Sequence, residues 1–316
     1  MEIISFNLGG RTVRMTGNPN DAYFNSVDKI AAAEAPLAHW ADSNLPADAV
    51  MFDVGGNIGV TALLLTGLRP QGHLTVFEAL PANVNFLRQN LALNNIANCT
   101  IVEAAVGDQA GRVNLTGEGA TAQVGTLTAS AEEGVPVIKL DDYARSVGLT
   151  RLDFMKMDIE GYEPAALAGA AELIARHQTP ILMEFNTWCL AHAHDFNPIK
   201  FCHALWVAFE VDQIKPDGTA VPAGNGDANR FLHDTMVLHG AVDDILLRPR
   251  LGVPVPNLKA AIACDPADEA RIVSLERELD AIKESTSWRL TQPIRTLKSL
   301  FTLGRDIANR TASSRQ

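Results

Sequence analysis

Short apolar, β-branched runs recur along the chain and are separated by stretches with helical spacing. The runs are "AVMFDV" from Ala49, "HLTVFEA" from His73, "CTIVEAAV" from Cys99, "LDFMKMD" from Leu152 and "TPILMEF" from Thr179. Each has the length of a strand and is too short for a helix. Between them, Thr61 to Leu68 is apolar and helix-compatible, and "PANVNFLRQNLALNN" from Pro81 repeats apolar residues at Val84, Leu87 and Leu91. "EPAALAGAAELIARH" from Glu163 carries proline in a first turn, where the missing N–H costs nothing. Strands alternating with helices predict βαβ units, and so a doubly wound, mostly parallel sheet of the α/β class, covered on both faces. "ALWVAFEVDQI" and "DTMVLHG" predict two further strands, the first followed by a Pro-Asp-Gly turn.

Other segments break the alternation. "GRVNLTGEGATAQVGTLTASAEEGVPVIKLDDYA" is rich in Gly, Thr and Ala and predicts an antiparallel excursion from the sheet. Residues 1–48 hold a strand-like start and the helical "SVDKIAAAEAPLAHWADS", an N-terminal cap on the domain expected over 49–240. After Gly240 the proline content of "LRPRLGVPVPNLKA" predicts a linker over 241–264, followed by a helical extension over 265–316. In that extension Ile272, Leu275, Leu279 and Ile282 keep 3-4-3 spacing for two heptads, too few to define a coiled coil.

Composition narrows the picture. Among the 316 residues no run of 18 apolar residues occurs, and the N-terminus lacks a basic flank followed by a long apolar run, so a cytoplasmic protein is expected. Cys99, Cys189, Cys202 and Cys264 are far apart and form no CxxC pair, which suits reduced thiols better than a zinc site. The net charge of −11 is uneven: residues 285–316 carry six basic residues and one acid, +5, leaving −16 on the remainder. An acidic body is a poor binder of nucleic acid, whose phosphates need neutralising. In the tail, Trp288, Ile294, Leu297 and Phe301 interleave with Arg289, Arg295 and Lys298. That pattern fits a basic amphipathic helix, either peripheral at an anionic membrane face or docked on a partner subunit.

Candidate chemistry centres on "VMFDVGGNIGVTALLL" from Val50. In a parallel sheet, ligands sit beyond the carboxyl ends of the strands, at the switch point beside the first one. The order Asp53-Val54-Gly55-Gly56-Asn57-Ile58-Gly59 contains no GxGxxG, and no GxxxxGK[ST] occurs elsewhere, so neither a dinucleotide nor a P-loop phosphate is indicated. An acid two residues before the first glycine suits a ligand carrying an amine or sulfonium. Glu78, nineteen residues after Gly59, ends the next strand, where a carboxylate can accept both hydrogen bonds of a ribose diol. The pair describes an adenosine-containing cation, and the turn glycines would let backbone approach it closely.

These segments resemble the FkbM family of S-adenosylmethionine-dependent methyltransferases, through "FDVGGNIGVTALLL", "VFEALPANVNFLRQNLALNN", "LDFMKMDIEGYEPAALAGA" and "PILMEF". The resemblance implies a class I methyltransferase, Rossmann-like fold with a seven-stranded sheet whose last strand is antiparallel. It also implies methyl transfer, usually to oxygen. Carried over residue by residue, Asp53, Gly55, Gly56, Asn57 and Gly59 form the cofactor loop and Glu78 is the ribose acid. Asn83 follows in the next helix, and Ala105 lies in "AAVGD", where the adenine edge is met. The family often has alanine at the position of Gly56, a difference the turn is expected to tolerate.

A hydroxyl is a weak nucleophile until its proton can leave, so acids at the same sheet edge are candidates for handling the acceptor. Asp158 and Glu160 follow the fourth strand and Glu184 ends the fifth; if the strand continues, Asp158 and Glu160 fall on one side. Such a cluster could supply a base or hold a divalent cation that acidifies the hydroxyl. Glu163, ahead of Pro164, is expected at a helix start. His192, His194 and Asp234 are lesser candidates for a base. The expected acceptor is a hydroxyl of a glycan or glycosylated precursor in surface-polysaccharide assembly. The alternatives are tailoring of a polyketide or lipid and a non-catalytic cofactor-binding scaffold.

Overall fold

The computed structural model describes residues 2–253 apart from 117–122, 128–133 and 195. The basic tail and most of the expected linker lie outside the described residues. In chain order, a hairpin of β1 (Ile4–Leu8) and β2 (Arg11–Met15) leads into helices α1 (Val27–Ala33) and α2 (Ala35–Asn44). Then follow β3 (Val50–Val54), α3 (Val60–Leu68), β4 (His73–Phe77), α4 (Pro81–Leu93) and β5 (Cys99–Val102). An excursion holds β6 (Ala105–Val106), β7 (Gly111–Thr116), β8 (Gln123–Leu127) and β9 (Val135–Ile138) in a four-stranded sheet with antiparallel β7–β8 and β7–β9 pairs. Helix α5 (Leu140–Ser146) returns the chain to β10 (Phe154–Met157), α6 (Glu163–Ala168), α7 (Ala171–His177) and β11 (Ile181–Asn186). Last come α8 (Thr187–His194), α9 (Pro198–Ala208), β12 (Phe209–Ile214), β13 (Ala220–Pro222), α10 (Ala228–Val237) and β14 (Val242–Pro249).

The main sheet runs β13-β12-β14-β11-β10-β3-β4-β5. Strands β3, β4, β5, β10 and β11 are mutually parallel, and β14, the last in the chain, inserts between β11 and β12 antiparallel to both. This is the doubly wound α/β arrangement expected, with β13 added as an eighth, edge strand. The addition comes from the Pro216-Asp217-Gly218 turn, closed by Lys215 N–H to Thr219 O and Gly218 N–H to Lys215 O, both 2.8 Å.

Two expectations fail near the C-terminal end. "DTMVLHG" is not a strand: Ala228, Phe231, Leu232 and Thr235 are buried at helical spacing, and Asp227 caps α10 by accepting from Arg230 N–H at 2.8 Å. Local capping and the 3.6-residue period decide that segment. The strand forms one step later, over Val242–Pro249, inside the stretch assigned to the linker, so the folded body runs past residue 240. Similarly, "ALWVA" belongs to α9, whose Phe201, Cys202, Leu205 and Ala208 are buried.

Strand alternation sorts the central residues onto two faces. Phe52, Val54, Met155, Met157, Met183 and Phe185 enter one core, whereas Met51, Phe154, Leu182, Leu246 and Val76 enter the other, beneath α1 and α2. Trp40 of α2 packs on Phe154 with ring centroids 5.3 Å apart, fixing the cap on that face. The same parity places Asp53 opposite Lys156, and Glu184 opposite Asp244, at the cap-covered carboxyl edge.

Candidate active site

The strand order reverses between the parallel strands β3 and β10, the switch point of the sheet. There the strand ends surround a cavity of about 300 Å³. Its walls include Gly55, Gly56 and Asn57 after β3, Glu78 and Leu80 after β4, Asp158 and Glu160 after β10, and Glu184 of β11. Asn83 and Ala105 line it as well, and the cap contributes Tyr23, Ile30 and Glu34.

Every amide of the glycine turn is used inside the protein. Gly55 and Gly56 N–H donate to Phe77 O at 2.9 and 3.2 Å, and Asn57 N–H donates to Glu78 Oε2 at 2.7 Å. Ile58 N–H donates to Asn57 Oδ1 at 2.8 Å and Gly59 N–H to Gly56 O at 2.9 Å. A pyrophosphate cradle needs amides turned toward the ligand, so this turn is built for something else. The glycines serve close approach of protein to protein. A Cβ at Gly55 (φ +92°) would sit 1.8 Å from Asp158 O, and one at Gly59 (φ +101°) 2.6 Å from Leu87 Cδ1. Gly56 is likewise required next to this chain's Val76, because an alanine Cβ would lie 2.0 Å from Val76 Cγ1.

Glu78 is buried and fully anchored: Oε2 holds Asn57 N–H and Oε1 holds Leu80 N–H, each at 2.7 Å. Burial raises its carboxyl above the ordinary value, opposed by hydrogen bonds from Leu80, Asn57, Ala79 and Asn83. As a residue of the cavity wall it presents this carboxylate to a diol. Asp53 is placed differently from the expectation. It is 1 % exposed, is not among the cavity-lining residues, and neither oxygen has a hydrogen-bond partner among the described residues. It lies under the turn, with Oδ2 3.7 Å from where a Gly56 Cβ would be, and burial pushes its carboxyl up to about 7.

The three acceptor-side acids meet in the cavity, but not by strand alternation. Strand β10 stops at Met157, Asp158 N–H closes onto Val54 O at 2.9 Å, and Glu160 turns inward through a left-handed conformation, φ +55°. Glu160 Oε2 accepts from Cys189 Sγ at 3.3 Å. Glu163 stands at the start of α6 as expected, its Oε1 accepting from Ile159 and Gly161 N–H at 3.0 and 3.3 Å. It thereby ties down the turn that carries Glu160. Burial, and then the charges of Asp158, Glu163, Glu160 and Asp244, push Glu184 up to about 9. That shift favours the protonated form at neutral pH, which can donate through one oxygen while Oε2 accepts from Asn186 Nδ2 at 3.3 Å.

Lys156 and Glu34 are the functional candidates that motif reading misses. Lys156 is a buried ammonium that donates to Asp158 Oδ2 at 3.0 Å. Burial disfavours its charge, but the carboxylates of Asp158, Glu34, Asp53 and Asp244 more than offset that, and its pKa stands well above the usual lysine value. A charged residue amid "LDFMKMD" was the available signal. Glu34, which accepts from Thr61 Oγ1 at 3.2 Å, gave none, because only the packing of the cap brings it here.

The lesser candidates lie elsewhere. The His192 ring rests on Trp188 and the His194 ring on Tyr162, and neither histidine is among the cavity-lining residues. Asp234 is on α10 beside His233 and Arg230. Among the described residues no group of three or more His, Cys, Asp or Glu side chains is arranged to hold a metal ion. The residues present fit an adenosyl sulfonium: an anchored carboxylate at the β4 edge, no outward amide nest, and a wall with five acids and one ammonium.

The inserted antiparallel last strand, the glycine turn after β3 and the acid after β4 define a class I methyltransferase fold. Residues 53–217 match the model of the methyltransferase FkbM domain family, and the chain belongs to that family. A methyltransferase, sdnD, of Sordaria araneosa is 29 % identical over a match covering 41 % of this chain and 63 % of that protein. The 2-O-methyltransferase NoeI of Sinorhizobium fredii is 27 % identical, covering 41 % and 60 %. The chain thus spans less than two thirds of the length of these curated relatives. Among solved structures, a methyltransferase FkbM from Methylobacillus flagellatus aligns at 22 % identity and a TM-score of 0.34, over 52 % of this chain and 44 % of that one.

Proposed function

We propose that the protein is an S-adenosylmethionine-dependent O-methyltransferase acting on a hydroxyl of a glycan or glycosylated precursor. The observation that carries the reading is Glu78, a buried carboxylate with both oxygens fixed by backbone amides at the cavity edge, where it can accept from a ribose diol. The bound cofactor supplies an electrophilic methyl on a sulfonium. The chain's own residues position the two reactants and handle the proton of the acceptor.

Of the three acceptor-side acids, Asp158 takes that proton, since it is bonded to an ammonium while Glu184 is already protonated at neutral pH. Glu184 donates to an acceptor oxygen, and Glu160 accepts from a neighbouring hydroxyl. Such a wall suits a neutral polyol. Among the described residues the cavity lining contains no arginine, and its lysine is already engaged by Asp158, so little there favours an anionic acceptor. The 2-O-methyltransferase among the relatives supports oxygen as the accepting atom.

Two measurements test the reading. S-adenosylmethionine or its demethylated product should raise the melting temperature by linkage while NAD does not; calorimetric binding of NAD alone would sink it. Incubation with labelled cofactor and a panel of neutral oligosaccharides should then give an O-methylated product. No helix among the described residues is long and apolar enough to cross a membrane. A peripheral contact of residues 285–316 with anionic lipid would appear as salt-sensitive vesicle co-sedimentation that is lost when the tail is removed.

A further inference from the structure

We infer that Asp53 is a second seat for the Lys156 ammonium, which crosses to it from Asp158 when Asp158 takes up the acceptor's proton. The inference rests on the reading of Asp158 as proton acceptor given above. Asp53 and Lys156 are direct partners in the parallel β3–β10 register, so their side chains leave the sheet side by side on the cap-covered face. Lys156 nevertheless leans forward to Asp158, at 3.0 Å, leaving both oxygens of Asp53 without a hydrogen bond. A carboxylate that is 1 % exposed and unpartnered is costly, and Asp53 cannot recover that cost from a ligand, because the turn at Gly56 covers it.

The chemistry requires such a seat. As the acceptor oxygen bonds to the methyl carbon, the carbon–sulfur electron pair stays on sulfur, and the hydroxyl proton passes to Asp158. Protonated Asp158 no longer holds an ammonium well, and Lys156, 8 % exposed, reaches only a cavity that the reactants fill. The groups facing Lys156 are Asp158, Glu34, Asp53 and Asp244. Glu34 is engaged by Thr61, and Asp244 sits on β14 opposite Glu184, outside the β3–β10 pair. Asp53 alone is buried, in register and unbonded. Lys156 keeps its three protons throughout. When Asp158 releases its proton to solvent, the ammonium returns.

The groups around Asp53 are Lys156, Glu34, Asp158 and Glu78, and burial sets its carboxyl near pH 7. The seat is therefore available above about that pH and is filled by a proton below it. Asp53 is a positioning residue, buried outside the cavity lining.

The test is a crystal structure of the full chain with Asp158→Asn, bound to S-adenosylhomocysteine at pH 8, together with NMR titration of the lysine side chains. The expected result is Lys156 Nζ within hydrogen-bond distance of Asp53, with Lys156 still charged at pH 9. An Asp53 that stays unbonded, or a Lys156 turned to Glu34 instead, overturns the proposal. Asp53→Asn supplies the kinetic arm: kcat at pH 8 should fall about tenfold or more with the cofactor KM within about twofold, and the acid limb near pH 7 should disappear. An Asp53→Asn enzyme that keeps both its kcat and its acid limb also overturns it. Full turnover by Asp158→Asn would instead remove Asp158 as the base, a failure of the functional reading that is separable from where the ammonium sits.

Discussion

Replacing Gly56 by alanine tests whether the glycine turn is shaped by its protein neighbours. The added Cβ would stand 2.0 Å from Cγ1 of Val76, which is fully buried. Valine has no free rotamer to retreat into, so the change is an overpacking event of about 1–3 kcal/mol. For a body of this size that is a drop in Tm of about 2–12 °C. Val76→Ala alone removes two methyl groups from the core and should cost about 2–3 kcal/mol through transfer and cavity terms. In the double variant the alanine at 56 occupies the space vacated at 76. The two costs should then fail to add by about 1 kcal/mol or more, with the double variant more stable than the sum predicts. Urea unfolding of the four proteins measures the coupling. Calorimetry with S-adenosylhomocysteine should show affinity lost in Gly56→Ala and partly restored in the pair, because the next amide, Asn57 N–H, is the one held by Glu78. Additivity within about 0.5 kcal/mol would refute the reasoning.

Glu78→Gln turns one anchored oxygen into an NH2 group facing an amide donor; stability should fall by about 1–3 kcal/mol and S-adenosylhomocysteine affinity about tenfold or more, by denaturation and calorimetry. Glu184 has its folded-state value raised from 4.5 to about 9, so its contribution is complete below about 4.5 and is lost as pH rises through 9. Urea unfolding should accordingly show the wild type losing stability toward pH 9.5 while Glu184→Gln flattens that limb; parallel curves would count against a protonated Glu184. Glu160→Gln and Glu184→Gln should each depress turnover while leaving cofactor affinity within a few-fold, in assays of methyl transfer alongside calorimetry.

Much of the fold is written in local pattern. The runs at Val50, His73, Cys99, Phe154 and Ile181 are strands because each is a short apolar, β-branched segment bounded by polar or glycine-rich turns. Pro81 and Pro164 start helices where a missing N–H is harmless. Spacing also placed Glu78, Asp158, Glu160 and Glu184 at one sheet edge, since in a parallel sheet all strand ends of that kind share an edge. Pattern failed at "DTMVLHG" and at Val242–Pro249, where β-branched content and a nearby proline pointed one way and capping and sheet insertion went the other.

What sequence alone determined is the set of elements and which acids stand at their ends, because these follow from periods of 2 and 3.6 residues and from backbone chemistry within a few positions. What the tertiary structure decided is which acids meet and in what charge state. Asp53 lies buried beneath the turn, where a Gly56 without a side chain fits between it and Val76. Glu34 enters the site because Trp40 seats the cap on Phe154. Lys156 matters because the parallel register sets it beside Asp53 and within reach of Asp158. The Asp53–Lys156 and Trp40–Phe154 juxtapositions join residues more than a hundred positions apart in the chain, and a carboxyl's proton affinity depends on the water and charge that such neighbours remove or supply.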